Sequence, residues 1–324
     1  MNGFGHKFRL SIWGESHGAE IGITIDGVRP GVALSVEDFT ADLARRRSGA
    51  QGTTARHERD IPHLVSGVYE AHTTGAPLTI LFKNEDVRSA DYSSLKTHFR
   101  PSHADFVARE RYGGWNDLRG GGHFSGRLTA LLVAAGVVAK KMLPEDLRFL
   151  TDIVEIGGER DPQKFADVVA EAAAEGDSVG GIIATSVAGI PAGWGEPFFD
   201  SVEGLVAHLL FAIPGVKGVE FGAGFAAARM RGSEHNDQII NELGETKTNH
   251  AGGIVGGLTN SNPLCVRVAV KPTASIAREQ MTFNRATHQV EPLSVVGRHD
   301  ACIALRAGVV VEAAVAVVLA DLMR

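Results

Sequence analysis

Apolar and polar residues alternate along residues 9–13 and 22–26, the two-residue period of strands with one buried face. A turn, Gly27-Val28-Arg29-Pro30-Gly31, follows the second of them. Ser35, with Asp38 three residues on, then reads as the N-cap of a helix reaching about Arg47. Residues 63–70 and 77–82 alternate like paired strands. The pattern predicts a helix from Ser102 and a longer one from about Ser125 to Met142, stopped before Pro144.

The second half repeats this vocabulary. A strand is expected over residues 147–157. Asp161-Pro162 then makes an N-cap and first helical position for a helix to about Glu175, closed by Gly176. Residues 181–187 read as a strand, 201–211 as a helix and 219–226 as extended. Residues 254–259 and 264–270 flank Asn260-Ser261-Asn262-Pro263, a hairpin signal, and 306–323 close the chain as a helix. Residues 22–31 and 181–193 share a strand, glycine-rich turn and helix order. This reads either as a pseudo-repeat or as chance likeness of two turns. As a repeat, each half is a sheet with a helix layer, the apolar helix faces meeting between two sheets. With no long linker or low-complexity stretch, residues 1–324 read as a single domain.

Composition narrows the class. Of 324 residues, 44% are hydrophobic and 22% charged, enough for a real core. A formal charge of −6 with 6% aromatics argues against a nucleic-acid partner. The 39 glycines fit many tight turns. Cys265 and Cys302 are in no metal-type spacing, so no metal is expected, and the pair fits a reducing, cytoplasmic compartment. The N-terminus carries no apolar signal core. The most apolar stretch, 307–320, is short and interrupted by Glu312, which favours a buried helix over a membrane span.

Candidate chemistry gathers in polar frames. His17 lies in Gly14-Glu15-Ser16-His17-Gly18, and His103 in Arg100-Pro101-Ser102-His103-Ala104-Asp105. A lone turn histidine is ordinarily structural, but two in similar Ser-His-small settings point to proton chemistry. Arg45-Arg46-Arg47 ends a helix; alone it reads as a solvated basic patch, and before a Gly-, Gln- and Thr-rich loop as an anion clamp. Gly120-Gly121-Gly122 before a helix suits an anion cradle. Gly222-Ala223-Gly224-Phe225-Ala226-Ala227 matches a dinucleotide pattern, but the residues after it read as strand rather than helix, so a nicotinamide dehydrogenase is discounted. Lys271-Pro272-Thr273-Ala274-Ser275 offers a cation and two hydroxyls. Asp300, after Arg298-His299, reads as a helix cap or as a base whose pKa Arg298 lowers. Together these ingredients suit an enzyme acting on a small polyanion.

These residues, with Val216-Lys217-Gly218-Val219-Glu220 and Asn249-His250-Ala251-Gly252-Gly253-Ile254, closely resemble the chorismate synthase family almost end to end. The resemblance implies a lyase that converts 5-enolpyruvylshikimate 3-phosphate to chorismate and phosphate by 1,4-anti elimination. It implies a requirement for reduced FMN, a β-α-β sandwich with helices between two mainly antiparallel sheets, and a homotetramer. By position, His17 is implied as proton donor to the leaving phosphate and His103 as the group that protonates the flavin. Asp300 is implied in removal of the C6 proton, and Ser16 and Ser125 in proton relay. His123, Phe124, Ser125, Pro214, Gly215, Gly256, residues 271–275 and Arg298 are implied as flavin contacts, and Arg45, Arg46, Arg127 and Arg298 as substrate contacts. The family's commoner Arg-Ser-Ser-Ala-Arg after the glycines is here His123-Phe124-Ser125-Gly126-Arg127. The loop after Arg47 is a residue shorter and lacks an arginine near Gln51-Gly52. A monofunctional enzyme is therefore expected, with NADPH involved only indirectly through external flavin reduction. The alternative from another class is a non-catalytic flavin- or anion-binding protein on the same scaffold.

Overall fold

The structure is a computed structural model that describes the whole chain except Met1, Ala50, residues 89–93, Val296, Arg298 and Arg324. Strands β1 (Gly3–Phe4), β2 (Arg9–Gly14) and β3 (Glu20–Asp26) lead to helix α1 (Thr40–Arg46). Then come β4 (His63–Ser66), β5 (Val68–Tyr69), β6 (His72–Thr73), β7 (Leu78–Lys83), α2 (Asp105–Arg111) and α3 (Thr129–Met142). The second half runs β8 (Arg148–Ile156), α4 (Phe165–Ala174), β9 (Gly181–Ala188), α5 (Val202–Phe211), β10 (Val216–Phe221) and α6 (Gly232–His235). It ends with β11 (Ile254–Val255), β12 (Leu258–Thr259), β13 (Leu264–Val270), β14 (Gln280–Asn284), β15 (Gln289–Leu293) and α7 (Ala304–Leu322).

Two antiparallel sheets enclose a helical layer. The first has the order β1-β2-β3-β7-β4 and the second β10-β13-β9-β8. Helix α3 lies on β3, α7 lies on β8 and β9, and α3 and α7 pack on each other with α1 and α5 beside them. The expected sandwich of helices between two mainly antiparallel sheets is thus the observed architecture. Each sheet turns its alternate apolar positions inward: Leu78, Ile80 and Phe82 from β7, and Leu264, Val266, Val268 and Val270 from β13 are buried. The two long helices are apolar on nearly every face because each meets both a sheet and the other helix. Among the described residues, no helix is long and apolar enough to cross a membrane.

Several boundaries differ from the sequence expectation. The first helix is split, a 3-10 turn (Val36–Phe39) leading into α1, with Asp38 Oδ2 accepting from Ser35 N at 2.7 Å as the capping box predicts. The helix expected at Ser102 starts at Asp105, because Ser102 takes a left-handed φ of 60°. The helix expected at Ser125 starts at Thr129 after two irregular turns. Residues 254–259 and 264–270 do not form one hairpin. β11 and β12 pair only with each other around Gly256-Gly257, while β13 is an inner strand between β9 and β10.

Three features join the layers. Gly136 of α3 faces Ala313 of α7 so closely that a Cβ on it would lie 2.4 Å from the Ala313 Cβ. Asp321, buried near the end of α7, accepts from the backbone N–H groups of His6, Lys7 and Phe8 at 2.8, 2.6 and 2.8 Å, closing the chain start onto its last helix. Glu312 of α7 takes a two-pronged bond from Arg45 at 2.9 and 2.8 Å and a further bond from Lys140 of α3.

Gly136→Ala gains about 1 kcal/mol of helix propensity but forces the two central helices apart. The overlap dominates, and a net loss of about 1–3 kcal/mol is expected in urea denaturation. For Glu312, burial would raise the carboxyl pKa, but Arg45 and Lys140 bring it down to about 2. A folded value below the unfolded one means stabilisation that is full above the ordinary carboxylate range and lost as pH falls through about 2. Glu312→Gln should therefore destabilise the protein at neutral pH and progressively less toward the acid end; a constant difference across that range would contradict this pairing.

Candidate active site

A cavity of about 720 Å³ opens where β1 and β2, the end of α1, the loop before α3, the end of α5 and the 271–275 turn converge. Among the described residues, Arg46, Arg47, Arg56, Arg100, Arg127, Lys217, Lys271 and Arg306 line it, against only Glu58, Asp60 and Asp300. A chain of net charge −6 has thus concentrated its cations in one concave site.

These cations are held in different ways. Asp60, buried at a left-handed φ of 49°, accepts from Arg46 Nη1 at 3.1 Å and, more closely, from Arg127 Nη1. Arg46 also donates to Thr129 Oγ1 at 3.0 Å and to the carbonyls of Gly126 and Arg127 at 3.1 Å each. Burial pushes its guanidinium below its ordinary value, with Asp60 opposing. Arg127 donates besides to Asn84 Oδ1 and the Lys83 carbonyl. Both side chains, expected as substrate clamps, spend their donors on the protein and build the wall. Arg45, expected to clamp as well, is not brought to the cavity, because Glu312 and Asp42 hold it. Among the described residues, Arg47, Lys217 and Lys271 have no carboxylate partner. Lys217 is the extra residue of a bulge in β10, opposite the strand end that leads into Lys271. Burial and the neighbouring Lys217 charge push the Lys271 pKa down, a pair that an anion would relieve.

Of the expected proton-active residues, His103, Ser125 and Asp300 reach the cavity, and His17 and Ser16 do not line it. Asp300 Oδ1 accepts from Thr54 N at 2.9 Å and Arg306 Nη1 at 3.1 Å. Arg306 is the described cation beside Asp300, since Arg298 lies outside the described residues, and Asp300 caps no helix because Ile303 precedes α7. Gly120, Gly121 and Gly122 all take positive φ and do not open α3, so the cradle expected from a helix N-terminus is corrected. The run instead provides closeness. A Cβ on Gly120 would lie 2.5 Å from the His17 ring, and one on Gly121 would meet His103 at 3.5 Å. His17 is packed behind Gly120, with 8% of its surface exposed. Ser16, fully buried, accepts through Oγ from Arg56 Nη1 at 2.7 Å, and Arg56 is paired with Glu58 at 2.7 Å. Burial, with the Arg100 charge, pushes the His103 pKa below its ordinary value against the pull of Asp105.

Of the expected flavin contacts, His123, Phe124, Ser125, Pro214, Gly215, Lys271, Pro272, Thr273, Ala274 and Ser275 all line the cavity. His123 Nδ1 lies 2.8 Å from the Gly14 carbonyl. Gly256 does not join them; it sits in the exposed β11–β12 turn. The dinucleotide-like segment at Gly222 enters a short 3-10 turn rather than an α-helix, and a Cβ there would lie 2.1 Å from the His250 carbonyl. Sequence reasoning passed over Asp60, Glu58, Arg56 and Arg306. Asp60 meets Arg46 and Arg127, and Arg56 meets Ser16, across long stretches of chain, while the nearby Arg56–Glu58 and Arg306–Asp300 pairs follow no motif spacing.

Replacing Asp60 by Asn keeps shape and tolerates the left-handed backbone, so it isolates the charge. With two guanidiniums then buried without a carboxylate, a loss of about 3–5 kcal/mol in denaturant unfolding is expected. A change under roughly 1 kcal/mol would contradict the assigned role of this pair.

The sequence model of the family described as chorismate synthase matches residues 8–323. A chorismate synthase of Chitinophaga pinensis is 57% identical over 323 residues, covering 100% of this chain and 96% of that protein. One from Korarchaeum cryptofilum is 43% identical, covering 98% and 96%. A crystal structure of chorismate synthase superposes with a TM-score of 0.74 at 26% identity, covering 98% of this chain and 92% of the other. With the family model matching nearly the whole chain, its relatives matching end to end and the same fold, the chain belongs to the chorismate synthase family and is an enzyme of that class, a lyase of aromatic biosynthesis.

Proposed function

We propose that this lyase converts 5-enolpyruvylshikimate 3-phosphate to chorismate and phosphate by 1,4-anti elimination with reduced FMN, both held in the cation-lined cavity. The observation that carries the reading is that His103, Ser125 and Asp300 line the same cavity as Arg47, Lys217 and Lys271, cations without carboxylate partners among the described residues. A substrate with one phosphate and two carboxylates needs such fixed charge where water is scarce.

The residues present fit a flavin. Thr273 Oγ1, on the cavity wall, is buried without a hydrogen-bond partner among the described residues. The Lys271–Ser275 turn would hold the polar end, with Pro214, Gly215, His123 and Phe124 against the ring. Arg298, outside the described residues, would contact flavin and substrate as the family resemblance implies. When bound, the reduced flavin supplies electron density that eases phosphate loss, with no net redox change. His103 accepts a proton at Nε2 and passes it on to the bound anion. His17 gives one to the leaving phosphate, with Ser16 and Ser125 relaying. Asp300 accepts the C6 proton, its carboxylate aimed by Thr54 and Arg306. Arg46 and Arg127 act from the wall, while Arg45 and Gly256 stand outside the ligand shell of one chain.

Residues 1–324 are read as one domain working in the cytoplasm as a homotetramer, on a small molecule and without nucleic acid or membrane. Nearly full exposure of Phe198 and Phe199 supports assembly. NADPH acts only indirectly, in reducing flavin elsewhere.

In an anaerobic assay of phosphate release and chorismate absorbance, turnover is expected with reduced FMN and none with oxidised FMN. His17→Ala and His103→Ala should each lower it by roughly 10- to 10³-fold. Protein that binds reduced FMN yet releases no phosphate would overturn the reading.

A further inference from the structure

His103 offers the cavity one ring nitrogen, and the other is occupied by a carboxylate two residues away. Asp105 Oδ1 lies 2.6 Å from His103 Nδ1. That carboxylate is fixed at both oxygens. Arg100 Nη2 reaches Oδ1 at 2.7 Å, Arg100 Nε reaches Oδ2 at 2.8 Å, and the Arg100 backbone N–H reaches Oδ2 at 3.1 Å. Arg100 is anchored in turn, its Nη1 donating to Ser275 Oγ at 2.9 Å in the cavity's 271–275 turn. Asp105 and Arg100 are 3% and 4% exposed, so water does not compete for these bonds. The chain reaches this geometry through Ser102 at a left-handed φ of 60°, a conformation a serine adopts only when its surroundings enforce it.

We infer that Asp105, clamped by Arg100, is a positioning residue that holds His103 as its Nδ1–H tautomer and so keeps the Nε2 lone pair turned to the cavity. For turnover, though not for the tautomer itself, this rests on the proton role proposed above for His103. A carboxylate beside Nδ1 accepts a hydrogen bond and cannot donate one. Burial would raise the Asp105 pKa, but Arg100 and His103 hold it far below the ordinary carboxylate range, so it stays a charged acceptor at neutral pH. Without that acceptor the group left at Nδ1 is Arg100 Nη2, 3.0 Å away, a donor that would favour the opposite tautomer.

Asp105→Asn separates positioning from packing. Two donors face the Oδ2 position, so the amide oxygen settles there and the NH₂ group is left facing Nδ1. The ring must then accept at Nδ1 and carry its proton on Nε2, with shape and most hydrogen bonds kept. The experiment is ¹⁵N NMR of the full-length protein with labelled histidine, the His103 signals among 13 histidines identified by their loss in His103→Gln. The wild type is expected to show a protonated Nδ1 and an unprotonated Nε2, and Asp105→Asn the reverse. Turnover with reduced FMN and 5-enolpyruvylshikimate 3-phosphate should fall roughly 10²- to 10⁴-fold in the variant, as expected when a base is locked in the wrong tautomer. A wild-type ring protonated on Nε2 overturns the inference whether or not the variant folds. An Asp105→Asn ring that stays protonated on Nδ1, or a reversed ring with turnover within about twofold of wild type, overturns it as well. Wild-type protein without turnover but with the Nδ1–H ring refutes the lyase reading and leaves the positioning role standing.

Discussion

The cavity depends on one carboxylate. Asp60 lies between two buried guanidiniums, those of Arg46 and Arg127, which arrive from the end of α1 and the turn before α3. Each arginine goes on to backbone carbonyls, Arg46 to Gly126 and Arg127, and Arg127 to Lys83 at the end of β7. One charge thus ties the first sheet to both helices that start or end at the site. A buried charge is tolerated only when paired and fully hydrogen-bonded, and here the pairing also fixes which segments meet. Two residues earlier on the same loop, Glu58 does the same for Arg56, and Arg56 reaches Ser16 beside His17. Two acids at i and i+2 therefore set the positions of three arginines.

That arrangement explains how a net-negative protein presents a positive cavity. The cations of the wall are neutralised by acids set behind or among them, while Lys217 and Lys271 are left facing each other at adjacent strand ends. Such a site is organised before any ligand arrives. An anion entering it meets charges that need no rearrangement, which is where electrostatic stabilisation acts most strongly.

The layered fold was readable from the chain because period-two strands and two long all-apolar helices leave few other ways to bury their faces. Of the two histidines that stand out in short Ser-His frames, His103 lines the cavity, whereas His17 is packed against Gly120. The long-range pairings stayed hidden. Arg45 and Arg46 are adjacent in sequence, yet one pairs with Glu312 across the helical layer and the other with Asp60; neighbours on a helix point about 100° apart, and sequence alone does not say what each meets. The glycine run misled for a related reason. Three glycines before an apolar stretch suggest a helix entry, but all three adopt left-handed conformations, and their use is space for two imidazoles. The segment 260–263 had the right residues for a hairpin, and the pairing of β13 with β9 and β10 prevailed because it buries four apolar side chains of β13.

The two histidines both approach that run, His17 at Gly120 and His103 at Gly121. His103 is aimed electrostatically, by an acid that is itself clamped, and its ring reaches the cavity. The His17 ring lies against Gly120, where any side chain would overlap it. A residue fixed by a charged bond keeps its direction but has its proton affinity tuned by every nearby charge, Arg100 and Lys271 among them. The lack of side chains at Gly120 and Gly121 is therefore a packing constraint rather than a loop's tolerance, because an imidazole approaches each of them.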